Sequence, residues 1–330
     1  MDISFIIPVF NRPAEIDELL SSLSLQTLKG FEVVVVEDGS TQSSEEVVER
    51  YRDQLNISYY FKDNSGPGLS RNYGCEKAKG SYVIFLDSDC VLPPTYFSTV
   101  SDTLNDNYTD AFGGPDRAHA DFTRLQKAIN FSMTSFLTTG GIRGGNEAMG
   151  KFHPRSFNMG ISREVFKATG GFSSMRFGED VDLSLRILEK GFQTQLIREA
   201  YVYHKRRTNL RQFFKQVYNS GIARINLHKR HPGTLKIVHA APAIFTLGLF
   251  GLVLFSILLS PWFAVPVAFH MLLLFFSATV RNRSLAIGLL SVVSSYTQLI
   301  AYGCGFLQAF WRRIILGRDE YSAFKRNFYK

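Results

Sequence analysis

Two carboxylates, Asp87 and Asp89, follow directly on the apolar run 82–86 in "YVIFLDSDCVLPP". Charges this close repel one another, and a positive partner would relieve them. Clustered carboxylates at a strand end suit Mg2+ or Mn2+, hard cations held by one or two carboxylates together with substrate phosphates. The alternative is a surface turn, or a helix N-cap for the segment after Pro94. A second acidic group, Glu179 and Asp180 in "GEDVDLSLRI", stands at the expected start of a helix, with Asp182 farther along on another face. Acidic residues are favoured there by the helix macrodipole. A carboxylate so placed can also take the proton of an attacking hydroxyl. His204, in "YVYHKRR", is either a structural hydrogen-bonder or a contact for the metal or phosphate. The basic Lys205, Arg206, Arg207 and Arg211 after it meet either phosphate or solvent beside a membrane.

The elements that must position these groups are legible as short β-rich runs, "ISFIIPV", "FEVVVVE", "ISYYF" and "YVIFL", separated by the polar amphipathic stretches 13–26, 43–54 and 67–79. Apolar strands alternating with helices imply an α/β fold with a mostly parallel central sheet. In such sheets ligands gather beyond the carboxyl ends of the strands. Those ends read "PVFNR" (8–12), "EDGS" (37–40), "KDNSGPGLSRN" (62–72) and "DSD" (87–89), all polar and turn-forming. No GxGxxG follows the first strand, which disfavours a dinucleotide oxidoreductase.

Charge divides the chain of 330 residues and net +8 very unevenly. Residues 204–236 hold nine Lys/Arg and no acid, and 312–330 hold six Lys/Arg against Asp319 and Glu320; residues 1–203 are therefore acidic, at −7. Between the basic stretches, 237–311 carry only Arg281 and Arg283 and include "AIFTLGLFGLVLFSILL" and "FAVPVAFHMLLLFFSATV". Each approaches the roughly 20 residues a bilayer requires. Basic flanks beside such spans attract anionic lipid and mark the cytoplasmic side, so membrane lipid is the expected partner and no nucleic acid is. The first two apolar runs, about 238–259 and 263–280, read as a hairpin. The third, about 285–311, either spans or, at Gly303 and Gly305, bends or re-enters. "DISFIIPVF" is too short and lacks the basic start of a signal peptide. Cys75, Cys90 and Cys304 form no CxxC, so neither a disulfide framework nor a zinc site is expected. The expected location is the inner membrane, multi-pass, with the acidic body in the cytoplasm.

The strings "IIPVFNR", "VVVVEDGS", "GPGLSRNYG", "FLDSDC", "FNMGISREVFKATGGF" and "GEDVDLSLRI", in this order across roughly residues 3–225, resemble the family 2 glycosyltransferases, of the type with a C-terminal membrane-anchoring region. The resemblance implies the GT-A (nucleotide-diphospho-sugar transferase) fold and an inverting transfer from a nucleotide-diphosphate sugar, with a lean to uridine. It implies that Pro8 and Asp38 line the base pocket, Asp38 accepting from the ring N–H, with Asn11 and Arg12 flanking. Arg71 would face the base or phosphates, Asp87 would lie near the ribose, and Ser88 would belong to the same donor site. Asp89 would bind Mg2+ or Mn2+, with Asp87 or His204 sharing the task. Glu37 stands where the family often has a second Asp. Asp180 would be the general base, Glu179 would orient the acceptor or support its loop, and Asn158 would be a polar group of the acceptor pocket.

The Gly-rich "GGPD" and "TTGGIRGGN" are expected to be acceptor-side loops. The helix reading "FFKQVYNSGIAR" lacks the QxxRW of processive synthases, which favours single addition. The expected organisation is a transferase domain, 1–225, with a nucleotide-sugar half 1–115 and an acceptor half 116–225. A basic juxtamembrane segment, 226–236, a membrane region of two or three helices, 237–311, and a basic amphipathic tail, 312–330, would follow. A soluble donor site beside the inner leaflet suits a lipid-linked or glycan acceptor. Two other readings stay open: a polyprenyl-phosphate sugar synthase, and a non-catalytic nucleotide-sugar-binding scaffold on the membrane.

Overall fold

The structure is a computed structural model, which describes residues 1–119, 121–139 and 152–320. The greater part of "TTGGIRGGN" and the end of the basic tail lie outside the described residues. The first half alternates as expected: β1 (Ile3–Val9), α1 (Pro13–Ser24), β2 (Glu32–Asp38), α2 (Glu45–Glu49), β3 (Asn56–Lys62), α3 (Pro67–Lys77) and β4 (Tyr82–Leu86). Then come β5 (Cys90–Val91), α4 (Tyr96–Asp106), β6 (Ala111–Gly113), β7 (Asp116–Arg117), α5 (Arg124–Thr134) and α6 (Phe136–Thr139). Beyond them lie β8 (Asn158–Ser162), α7 (Arg163–Thr169), α8 (Glu179–Glu189), β9 (Thr194–Leu196) and β10 (Val202–His204).

Seven strands form one sheet in the order β3-β2-β1-β4-β8-β6-β9, and β5-β10-β7 form a second. Pairing through β3, β2, β1 and β4 is parallel, and β8 runs antiparallel to both β4 and β6. Every residue of β1, β2 and β4 is buried, which is why these strands read as continuous apolar runs. Alternation assigns their side chains to opposite faces: Phe5, Ile7 and Val9 pack with Leu19 and Leu23 of α1, while Ile6, Val34 and Val36 pack with Cys75 of α3.

Two compact units result. Residues 1–119 and 152–205 belong to the first, and 121–139 and 206–320 to the second. The expected boundary at 225 falls inside α9 (Leu210–Arg230), an unbroken helix. The reason is side-chain packing within the second unit: Phe213 of α9 is buried with Ile129 and Met133 of α5. Three further helices, α10 (Ile237–Leu258), α11 (Val265–Asn282) and α12 (Leu285–Phe310), complete that unit.

Three segments, Ile237–Leu258, Pro261–Asn282 and Leu285–Ile315, are long and apolar enough to cross a membrane. The third runs through its glycines as one α-helix, Leu285–Phe310. Gly303 and Gly305 instead admit close helix contacts: a Cβ on Gly303 would overlap the Thr246 hydroxyl of α10, and one on Gly305 the Tyr218 carbonyl of α9. Small residues at such crossings let backbones approach.

Candidate active site

The carboxyl end of β4 turns through Asp87, Ser88 and Asp89 into β5, closed by the Cys90 N–H donating to the Asp87 carbonyl at 3.1 Å. β10 pairs antiparallel with β5, His204 opposite Cys90, and the Lys205 N–H donates to the Asp89 carbonyl at 3.1 Å. This register delivers the imidazole to the acidic turn. His204 Nε2 lies 3.0 Å from Asp89 Oδ1 and 3.8 Å from Asp87 Oδ2, and its ring stacks on Phe157 at 5.1 Å. Asp89 and Ser88 are buried. The other oxygen of Asp89 accepts from Arg12 Nη1 at 2.5 Å. Arg71 Nη2 donates to Asp87 Oδ1 at 2.6 Å.

Ligand atoms of Asp89, Cys90 and His204 lie within 4.8 Å of one another. Cys90 is a poor member of that set. Burial pushes its thiol well up, with Asp89 and Asp87 adding to the effect, and the Sγ donates to the Phe157 carbonyl. A neutral, soft thiol leaves carboxylate oxygen and imidazole nitrogen as the donors, a set that fits Mg2+ or Mn2+. Asp89 and His204 are the grouped donors that such a cation would meet, with Asp87 Oδ2 3.8 Å from His204 Nε2.

At the end of β2, Asp38 is buried and its carboxylate is well supplied with donors: Lys62 Nζ at 2.6 Å, the N–H groups of Ser65 and Gly66 at 2.8 Å each, and Asn64 Nδ2 at 3.2 Å. A base N–H reaching Asp38 would have to displace one of these donors, since four of them fill the lone-pair sites of a carboxylate. Gly66 takes a left-handed φ of 92° at this turn, which brings its N–H to bear. Asn11 is also left-handed, at φ 51°, and its Oδ1 accepts from the N–H groups of Thr41 and Gln42, tying the end of β1 to the loop after β2. Pro8 is buried within β1. Glu37 points into that same loop, accepting from the Ser44 N–H at 2.8 Å and from the Ser40 hydroxyl. It braces the turn that presents Asp38.

The acceptor-side carboxylates open α8, behind Gly178 in the left-handed region at φ 84°. Asp180 Oδ2 accepts from Arg155 Nε at 2.6 Å, and Oδ1 from the Val181 N–H at 2.8 Å. Burial pushes the Asp180 carboxyl up, but the Arg155 charge and these hydrogen bonds outweigh it and hold the group below its ordinary value. Glu179 goes the other way: burial, then the neighbouring Asp180 charge, push it up to about 7.

Between the two acidic groups lies Arg71, its side chain only 4% exposed. Its Nη1 donates to Glu179 Oε1 at 3.3 Å while Nη2 holds Asp87, and its guanidinium sits 5.2 Å over the Phe172 ring. Arg71 therefore bridges carboxylates, where a contact with base or phosphate was expected. Asn158 also departs from expectation. It has no exposed surface; its Oδ1 accepts from the Tyr96 hydroxyl at 2.6 Å and its Nδ2 donates to the Ala200 carbonyl at 2.8 Å. With both ends of the amide taken and no exposed surface, it fastens the start of β8 to α4 and to the turn before β10, and is closed to an acceptor. Lys62, Phe157 and Arg155 stand in stretches that sequence reasoning reached, the strand end 62–72 and the expected acceptor-side stretch 152–159, without being singled out there. Nothing in "HPRSFNM" marks Arg155, whereas Lys62 stands at a strand end and could have been read there.

These positions fall largely within a stretch, residues 4–170, that matches the model of the "Glycosyl transferase family 2". The chain belongs to glycosyl transferase family 2. Relatives similar to this family 2 chain include the poly(ribitol-phosphate) beta-N-acetylglucosaminyltransferase TarS of Staphylococcus aureus, 36% identical over 33% of this chain and 20% of its own length. Another is the GalNAc(5)-diNAcBac-PP-undecaprenol beta-1,3-glucosyltransferase of Campylobacter jejuni, 32% identical over 34% of this chain and 37% of its own. Matches to curated relatives from Rickettsia cover only about a seventh of those proteins, 14% of the Rickettsia conorii glycosyltransferase. Among solved structures, the mannosyltransferase PcManGT of Pyrobaculum calidifontis, in complex with GDP-Man and Mn2+, superimposes with a TM-score of 0.61 at 16% identity, over 94% of this chain and 87% of its own. TarS 1–349 with UDP-GlcNAc gives 0.50 at 19% identity, over 95% and 92%. These likenesses establish the GT-A fold of the family 2 chain.

Proposed function

We propose that the protein is a membrane-anchored, inverting, non-processive glycosyltransferase that moves a sugar from a nucleotide-diphosphate donor, with a lean to UDP, to a lipid-linked or cell-surface glycan acceptor. The single observation that carries this reading is Arg71. By holding Asp87 with one amino group and Glu179 with the other, it joins the donor-side turn after β4 to the start of α8. That link supports reading the donor groups and a candidate base as parts of one site. Relatives named for a PP-undecaprenol-linked and a poly(ribitol-phosphate) acceptor support the acceptor class.

In this reading Pro8 and Asp38 line the base pocket with Asn11 and Arg12 flanking it, and Asp89, with Asp87 or His204 sharing the task, would hold Mg2+ or Mn2+. Such a cation, when bound, stabilises the negative charge that grows on the leaving nucleotide diphosphate. Asp180 takes the proton of the acceptor hydroxyl as that oxygen attacks the anomeric carbon from the opposite side. Arg155 and the Val181 N–H fix its orientation. Glu179, partly protonated near neutrality, can remain beside Asp180 without full repulsion. The apolar helices α10 to α12 hold the domain at the inner membrane, with the site on the cytoplasmic side.

A second reading, a polyprenyl-phosphate sugar synthase, draws on one observation: Asp180 is held below its ordinary range, which suits a weak base or none, and an ionised phosphate acceptor needs none. Screening nucleotide sugars for Mn2+-dependent hydrolysis tests the donor half of both readings. Turnover of one donor that is lost in Asp89→Ala supports them. Binding of donor without turnover, on any acceptor or water, leaves only a scaffold.

A further inference from the structure

Arg155 has more donors than its known partner uses. Its side chain is 45% exposed, and among the described residues its one side-chain hydrogen bond runs from Nε to Asp180. Guanidinium carries five N–H donors in a rigid fork, so Nη1 and Nη2 remain available after Nε is spent.

The backbone beneath it is fixed on both sides. The Asn158 N–H donates to the Arg155 carbonyl at 3.0 Å, the Ser184 hydroxyl of α8 to the Pro154 carbonyl at 2.5 Å, and Asn158 is itself pinned by Tyr96 and Ala200. A half-exposed cation on so constrained a segment loses little entropy when it meets a ligand. By contrast Arg71, a second arginine at the acidic start of α8, is buried between Asp87 and Glu179, and its unpartnered Nε is buried too.

We propose that the free Nη edge of Arg155 is a receptor for a phosphate ester on the acceptor, next to the hydroxyl or phosphate oxygen that reacts. The proposal deepens the transferase reading and rests on it. Asp180 occupies the Nε edge and a phosphate the Nη edge, so one guanidinium orients both the base and the acceptor. Planar bidentate recognition of phosphate is what this side chain does best. A phosphate belonging to a lipid carrier and one belonging to a glycan chain share this chemistry.

The test uses the full-length chain in detergent, saturated with UDP and Mn2+ so that the donor side is filled, and titrated calorimetrically with glycerol 3-phosphate, farnesyl phosphate and glycerol. Saturable binding of the phosphates but not of glycerol is expected, weakened by about tenfold or more in Arg155→Gln. Arg155→Lys should keep part of the affinity, and the thermal midpoint of each variant checks that it is folded. Tighter binding of farnesyl phosphate than of glycerol 3-phosphate assigns the site to a lipid carrier; equal binding assigns it to a glycan phosphate. Phosphate affinity unchanged in Arg155→Gln, or glycerol bound as well as its phosphate, overturns the proposal. Donor turnover measured on the same preparation separates the two levels. Phosphate bound through Arg155 with no nucleotide sugar turned over sinks the transferase reading and leaves the anion site; turnover without such binding sinks the site alone.

Discussion

The two acidic groups of the site are built on opposite plans. Asp87 and Asp89 are spaced by one residue on a turn, so each carboxylate meets its own cation: Arg71 for the first, Arg12 for the second, with His204 beside both. Glu179 and Asp180 are adjacent at a helix start, and cations are shared unequally. Asp180 has the short ion pair with Arg155 and stays ionised; Glu179 has only the longer contact with Arg71 and is driven toward protonation. Evenly matched cations keep a pair of charges ready for something positive. Uneven ones separate two carboxyl groups into different protonation states, the condition under which each can take a different role.

Breaking the uneven pair should have the largest effect. Asp180→Asn removes the proton acceptor and should lower the turnover number by about a hundredfold to ten-thousandfold, measured by nucleotide release with a hydroxyl acceptor. Transfer that survives this change while Asp89→Ala abolishes it would shift the reading to a phosphate acceptor. On the evenly matched side, Asp89→Ala should cost about a hundredfold to a thousandfold in donor turnover. Its signature should also differ: added Mn2+ up to millimolar levels stimulates the parent protein and leaves the variant unchanged.

Arg71 is the residue the two groups share, and removing it tests whether they are one system. Arg71→Met leaves Asp87, whose side chain is 30% exposed, without its ion-pair partner and leaves Glu179 to protonate. Because Asp87 keeps contact with water and Glu179 can turn neutral, the cost should be about 1–3 kcal/mol, below that of breaking a fully buried pair, read here as loss of stability in urea. A variant as stable as the parent would mean that the bridge carries no energy and that the groups are independent.

How much of this was legible in the sequence follows from where each residue stands. The strands β1, β2 and β4 announce themselves because burial on both faces demands continuous apolar residues, and parallel topology then points to their carboxyl ends. Asp38, Asp87 and Asp89 stand at those ends, and the family resemblance then proposed their roles. His204 was found as a strand end too, but its approach to Asp89 depends on the β10–β5 register, which no local pattern encodes. Arg155 stands in an irregular segment with no period, and Asn158 was misjudged because an amide satisfied by Tyr96 and Ala200 looks, in sequence, like one free for a ligand. Gly303 and Gly305 carried the same ambiguity. Glycine in an apolar helix signals either a break or a close crossing, and only the presence of α9 and α10 against them decides.

The smallest effect is the most direct measure of the uneven pair. In the folded protein Glu179 holds its proton up to about 7, against 4.5 for an unperturbed glutamate. A carboxyl whose pKa is raised by folding adds stability that is complete below the unfolded value and is lost as pH rises through the folded one. Asp180, shifted down, does the reverse: its contribution is present above about 3.8, its ordinary value, and is lost only in acid. From pH 5 to pH 8 the Asp180 contribution is therefore constant and the Glu179 contribution declines. Glu179→Gln, neutral at every pH, should remove that decline. With chelator present to exclude bound cations, the thermal midpoint of the parent should fall between pH 5 and pH 8 relative to that of the variant. Parallel pH profiles would show that Arg71 balances Glu179 as fully as Arg155 balances Asp180, and the contrast between the two carboxyl groups would be lost.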